Sequence, residues 1–140
     1  MNKKRVNSLL LVAKQALDEC GIAENGKINS AFRGQISSFG AAIVTGNLPA
    51  ATAFFSVQGG SDVKRDRLLN AIYYCICEND RHQAKNKQPK EILQFVCENN
   101  SYELKEKIID ASIALKLAMS FYELVSSKGE AHEKSEFDIQ

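Results

Sequence analysis

The chain has 140 residues, 44% apolar and 25% charged, with a net charge of +1. That composition suits one globular domain with a sizeable core and excludes fibrous, low-complexity and disulfide-dense classes. No window reaches the ~18 uncharged apolar residues of a membrane-spanning helix. The opening MNKKRVNSLLLVAKQALDEC is broken by Lys14, Gln15, Asp18 and Glu19 and has no small-residue cleavage site, so it reads as a helix rather than a signal peptide. The expectation is a cytoplasmic protein off the membrane, and Cys20, Cys75, Cys77 and Cys97, which form no C-x-x-C pair, read as reduced thiols acting as small apolar residues in its core.

Charge is uneven along the chain. Up to Lys90, 13 Lys/Arg stand against 7 Asp/Glu; from Glu91 on, 5 Lys stand against 10 Asp/Glu. Such a split accompanies nucleic-acid contact or head-to-tail pairing of unlike ends.

In chain order, Val6, Leu9, Leu10, Ala13, Leu17 and Cys20 form the first helical stripe, with Gly21 as its stop and GIAENGKI as a loop. Ile28, Phe32, Ile36, Phe39 and Ile43 predict a second helix ending at a left-handed Gly46. Pro49 opens a short third helix, and GGSD breaks the chain before a fourth, capped by Ser61 or Asp62 and carrying Leu68, Leu69, Ile72, Tyr73 and Ile76 inward. ENDRHQAKNKQ reads as a long mobile loop, Pro89 starts a helix through Cys97, and Ser101 to Ser127 reads as the longest helix, apolar on two faces. No alternating strand pattern competes, so the fold class is all-α: a bundle of five to six helices over residues 1–128, with a disordered tail over 129–140.

Enzyme chemistry finds little support. His82 and His132 lie in no metal-ligand spacing, and Asp80 with His82 in NDRHQ reads as solvated loop rather than an acid–base pair. No cofactor and no metal are expected. The Gly46–Pro49 corner resembles a DNA-reading helix-turn-helix, but LPAATAFFSVQ offers no Lys or Arg and belongs mostly inside. Opposite the second helix's apolar stripe stand Arg33, Ser37, Gly40 and Ala41. They read either as an Arg reaching a phosphate across a shallow face or as a close helix–helix contact with Arg33 snorkelling outward. The cations fall into three groups: Lys3, Lys4, Arg5 and Lys14; Lys64, Arg65 and Arg67; Arg81, Lys85, Lys87 and Lys90. Converging, they would neutralise phosphates without reading bases.

INSAFRGQISSFGAAIVTGNLPAATAFFS, Ile28 to Ser56, resembles the small-subunit family of type III-B CRISPR effector complexes, the Cmr RNA-targeting assemblies. There a helix ends in an I-x-x-G-x-L-like turn before a short helix containing A-F; Ile43, Gly46, Leu48, Ala53 and Phe54 stand at those places here. The basic start KKRVNSLLLVAKQAL, the long C-terminal helix and the chain length also fit. Where the family often carries lysines soon after the A-F helix this chain has SVQGG, with Lys64 and Arg65 the nearest cations. The resemblance implies a non-catalytic helical subunit that stacks with copies of itself and other Cmr subunits along guide RNA and target RNA. The expected phosphate contacts are Lys4, Arg5, Lys14, Arg33, Lys64, Arg65 and Arg67. The alternative is a helical protein–protein adaptor with no nucleic-acid role.

Overall fold

The structure is a computed structural model that describes residues 1–57 and 64–126. The expected cap at Ser61 or Asp62, His132, the boundary after residue 128 and the tail from Gly129 lie outside the described residues.

The chain is predominantly α-helical. α1 spans Lys3–Glu19, α2 Ala31–Thr45, α3 Leu48–Ser56, α4 Asp66–Ile76, α5 Pro89–Glu98 and α6 Tyr102–Ala118. Several ends are capped as their residues dictate: the side chains of Asn2, Asn47 and Ser101 accept from the backbone N–H of Arg5, Ala50 and Leu104. α6 is central, packing on α1, α2 and α4. It buries Leu104, Ile108, Ala111, Ala114, Leu115 and Ala118, together with the polar Asp110 and Ser112. α3 and α5 pack together at the far side of α4, and the rings of Phe39 on α2 and Phe55 on α3 meet edge to face at 5.0 Å. Such a pair adds roughly 0.5–1.5 kcal/mol beyond its burial.

Four local expectations are corrected. First, GIAENGKI is a hairpin, not a loop: β1, Ala23–Glu24, pairs antiparallel with β2, Lys27–Asn29, and Ile28 belongs to the strand rather than to the helix. The cause is the two-residue turn Asn25-Gly26, whose φ values of 54° and 77° are those of the hairpin turn that Asn-Gly favours. Second, the last helix stops at Ala118; a 3-10 turn, Met119–Phe121, leads into β3, Glu123–Val125, which pairs parallel with β2. The exit is held by tertiary bonds: Ser30 donates its N–H to the Val125 carbonyl at 2.7 Å, Glu123 to that of Gly26 at 2.9 Å, and the Tyr122 hydroxyl to Asp18 at 2.8 Å.

Third, ENDRHQAKNKQ is not a free loop. Glu78–Asn86 forms 3-10 turns kinked at Asp80. They are pinned by the buried Asn70 amide, which donates to the carbonyls of Ala84 at 2.6 Å and Lys87 at 2.9 Å. Arg81 donates to the Tyr74 carbonyl at 2.9 Å. Fourth, Gly46 ends α2 with φ −116°, outside the left-handed region; glycine is needed because a Cβ there would lie 3.0 Å from the Ala42 carbonyl oxygen.

The thiols divide by burial. Cys20 and Cys75 are buried, and burial pushes both up to about 12, whereas Cys97 is exposed. At pH 8, iodoacetamide should label Cys97 within minutes while Cys20 and Cys75 react only on unfolding, as mass spectrometry would read. The same shift predicts alkaline sensitivity. The thiols lose protons from about pH 8.5 when unfolded. The stability they contribute is therefore present below that pH and lost as pH rises toward 12.

Candidate nucleic-acid interface

The hairpin and the start of α4 build a cleft at one end of the bundle. α1 ends at Glu19 with Cys20 as its C-cap, and Gly21 turns the chain with φ +73°. The Gly21 carbonyl then faces α4, where Arg67 donates to it from Nη1 at 2.7 Å. A Cβ on Gly21 would lie 3.2 Å from that same nitrogen, so the turn and the guanidinium need a glycine there. The cleft holds about 460 Å³ and is lined by Lys27, Lys64 and Arg67, with Glu24, Asn25 and Asn29 as its other polar side chains. Asn29 Oδ1 accepts from the Ala31 N–H at 2.9 Å, which fixes the strand-to-helix corner. Lys64 is exposed; Arg67 is half-buried, its nearest carboxylate oxygen being Glu24 Oε1 at 4.0 Å. Three cations from two segments, the hairpin and the start of α4, thus meet around one concavity, with amine and guanidinium heads suited to phosphate oxygens rather than to base edges.

The seven expected phosphate-binding residues do not form one face. Lys64 and Arg67 come together in this cleft, and Arg33 follows Phe32, a residue of the cleft lining, at the start of α2. Arg33 is exposed, and the Ser37, Gly40 and Ala41 face beyond it is not covered by any other helix among the described residues. Lys4 is exposed at the far end of α1, which at a rise of 1.5 Å per residue is about 25 Å from Gly21. Lys14 lies between these ends, 5.4 Å from the Tyr122 ring centroid and 3.9 Å from Asp18.

Besides Arg67, which donates from Nη1 to the Gly21 carbonyl while lining the cleft, two of the seven have their guanidinium groups committed inside the fold away from it. Arg65 is 8% exposed. It donates to the Val57 carbonyl at 2.7 and 3.1 Å and to the Phe54 carbonyl at 3.2 Å, and lies 4.6 Å from the Phe54 ring centroid. Arg5 donates to the buried Asp110 carboxylate at 2.8 Å. Lys27 is the cleft cation that grouping by sequence leaves out, because it stands alone in the chain; the Asn25-Gly26 turn before it is the signal that could place it on a strand.

The histidine-bearing segment is also decided by geometry. Asp80 accepts from the Tyr73 hydroxyl at 2.6 Å and pairs with Lys87 at 3.2 Å, contacts that hold its carboxyl below the usual range, while His82 is exposed. Among the described residues, no group of three His, Cys, Asp or Glu could hold a metal ion. None of the described helices is long and apolar enough to cross a membrane. Compared with family models, curated proteins and solved structures, the chain gives no significant match to any of them.

Proposed function

We propose that this chain is a non-catalytic helical subunit of a type III-B CRISPR ribonucleoprotein, which packs against copies of itself and other Cmr subunits and holds the backbone of guide and target RNA. The observation that carries the reading is the convergence of Lys27, Lys64 and Arg67 on one cleft, with the exposed Arg33 next in sequence to its lining residue Phe32. The sequence resemblance over Ile28 to Ser56 supplies the assembly. In this reading Lys27, Arg33, Lys64 and Arg67 contact phosphates, Lys4 and Lys14 are secondary contacts, and Arg5 and Arg65 hold the fold in which those cations stand. Base pairing between guide and target supplies sequence specificity, so the subunit needs charge at the right places and no base-reading helix.

The test is reconstitution of the effector complex with the full chain and guide RNA, followed by cross-linking. The Lys27→Ala/Arg33→Ala/Lys64→Ala chain should enter the complex as the unmodified chain does and lose most of its RNA cross-links. Unchanged cross-links would remove the cleft from the RNA path, and a chain that never joins the complex would remove the assembly.

A further inference from the structure

α2 and α6 pack side by side, yet one flank of their contact is covered by none of the described residues. An open apolar groove of about 440 Å³ runs between them, walled by Gly40, Ala41 and Val44 on α2 and by Ile109, Ile113 and Lys116 on α6. Val44 is 64% exposed, a large aliphatic side chain left at the rim. A glycine inside a helix costs about 1 kcal/mol relative to alanine. α2 carries two, and a Cβ at Gly34 or at Gly40 would meet no atom within 4 Å. Nothing among the described residues therefore needs those positions bare; what a bare backbone permits is close approach from outside.

The groove has direction. β2 leads into α2 and the parallel strand β3 follows α6, so the two helices run antiparallel from the sheet. Lys116 is the groove's one charged lining residue and stands at the sheet end. It is exposed and has no carboxylate partner among the described residues. On α6 the wall from Ile109 to Lys116 covers about 10 Å, two helical turns.

We propose that this groove docks one amphipathic helix of a protein partner, which lays an aliphatic ridge at i, i+3 or i+4, and i+7 against α2 and α6 and brings a carboxylate to Lys116. Two turns of wall match a ridge of that length. A small-residue wall lets the incoming helix axis come near. Lys116, with no carboxylate partner among the described residues, favours an acidic end and repels a basic one. RNA fits poorly, since the lining offers one cation and no aromatic ring for a base to stack on. The inference stands apart from the RNA reading, because it uses none of the cleft cations.

The test uses the full chain and two fluorescent, alanine-rich synthetic helices of about four turns, each with a leucine ridge, one ending in glutamates and the other in lysines. The acidic helix should bind at least about tenfold more tightly than the basic one, and Lys116→Glu should reverse that order. A Cβ at Gly40 meets no atom within 4 Å, so Gly40→Leu projects into the groove and should weaken binding by more than about tenfold while thermal stability holds or rises. Lys27→Ala and Lys64→Ala should leave helix binding as it is. Equal binding of both helices, or full binding by Gly40→Leu, would overturn the proposal. So would self-association of the chain that Gly40→Leu abolishes, or displacement of the helix by an RNA oligonucleotide.

Discussion

Replacing Arg5 by alanine should cost about 3 kcal/mol of folding stability, the lower end of what breaking a buried ion pair costs. The carboxylate of Asp110 is the reason. It is 0% exposed on the central helix, and its charge is met by Arg5 at 2.8 Å and by the Asn2 N–H at 3.2 Å. Without Arg5, one backbone donor faces a full negative charge inside the bundle. The lower end applies because Arg5 itself is 33% exposed, so its removal lets water toward the carboxylate. For a domain of this size the melting temperature should fall by about 10 °C. Replacing both partners by apolar residues, Arg5→Met with Asp110→Leu, should recover most of the loss, since no unpaired charge then remains buried. Chemical denaturation of the three chains measures this. If the single and double variants were equally unstable, packing rather than charge would be the cause.

The second large effect is expected at Arg65. Its guanidinium bridges the carbonyls of Phe54 and Val57 at the C-terminal end of α3, where helix carbonyls lack partners, to the start of α4. Arg65→Ala removes these charge-assisted bonds and the packing on the Phe54 ring, and should cost about 2–3 kcal/mol. Arg65→Lys should recover less than half of that, because an ammonium cannot reproduce the planar fork that reaches two carbonyls at once. Urea melts of the three chains decide it: full recovery by lysine would mean that charge alone matters there. Both variants bear on any assay of the proposed RNA binding, since a chain without α3–α4 docking would lose it for reasons unrelated to phosphate contact.

The helices are legible wherever an apolar stripe repeats over two turns or more, as in α1, α2, α4 and α6. What escapes that reading has particular causes. Three-residue strands are too short to show alternation, so β2 and β3 are hidden, although Asn25-Gly26 marks the hairpin. The apolar period of α6 continues past Ala118, but strand pairing with β2 and the Tyr122–Asp18 bond take over there, and neither is local in sequence. ENDRHQAKNKQ is polar enough for a loop, and its order comes from Asn70, a residue on another element. Composition places LPAATAFFSVQ mostly inside but cannot separate its two rings; Phe55 is at 2% exposure, whereas Phe54 is at 61% with Arg65 against its ring.

For the candidate interface, grouping the cations by sequence finds Lys64 and Arg67 but cannot tell a solvated guanidinium from a committed one. Arg65 and Arg67 are two residues apart, yet one is a buried clamp and the other faces the cleft. The partner of Arg5 is Asp110, a carboxylate 105 residues away within the apolar run IIDASIAL, which charge counting treats as one more acid.

The central claim is that the hairpin cleft binds RNA backbone. Its most direct test is the salt dependence of single-stranded RNA binding by the effector complex, with the full chain unmodified or carrying Lys27→Ala and Lys64→Ala. Removing one phosphate-neutralising cation should lower the slope of log affinity against log salt by about 0.7. The double variant should therefore show a slope shallower by about 1.4 and weaker binding at low salt, with its melting temperature unchanged. An unaltered slope with an intact fold would contradict the claim.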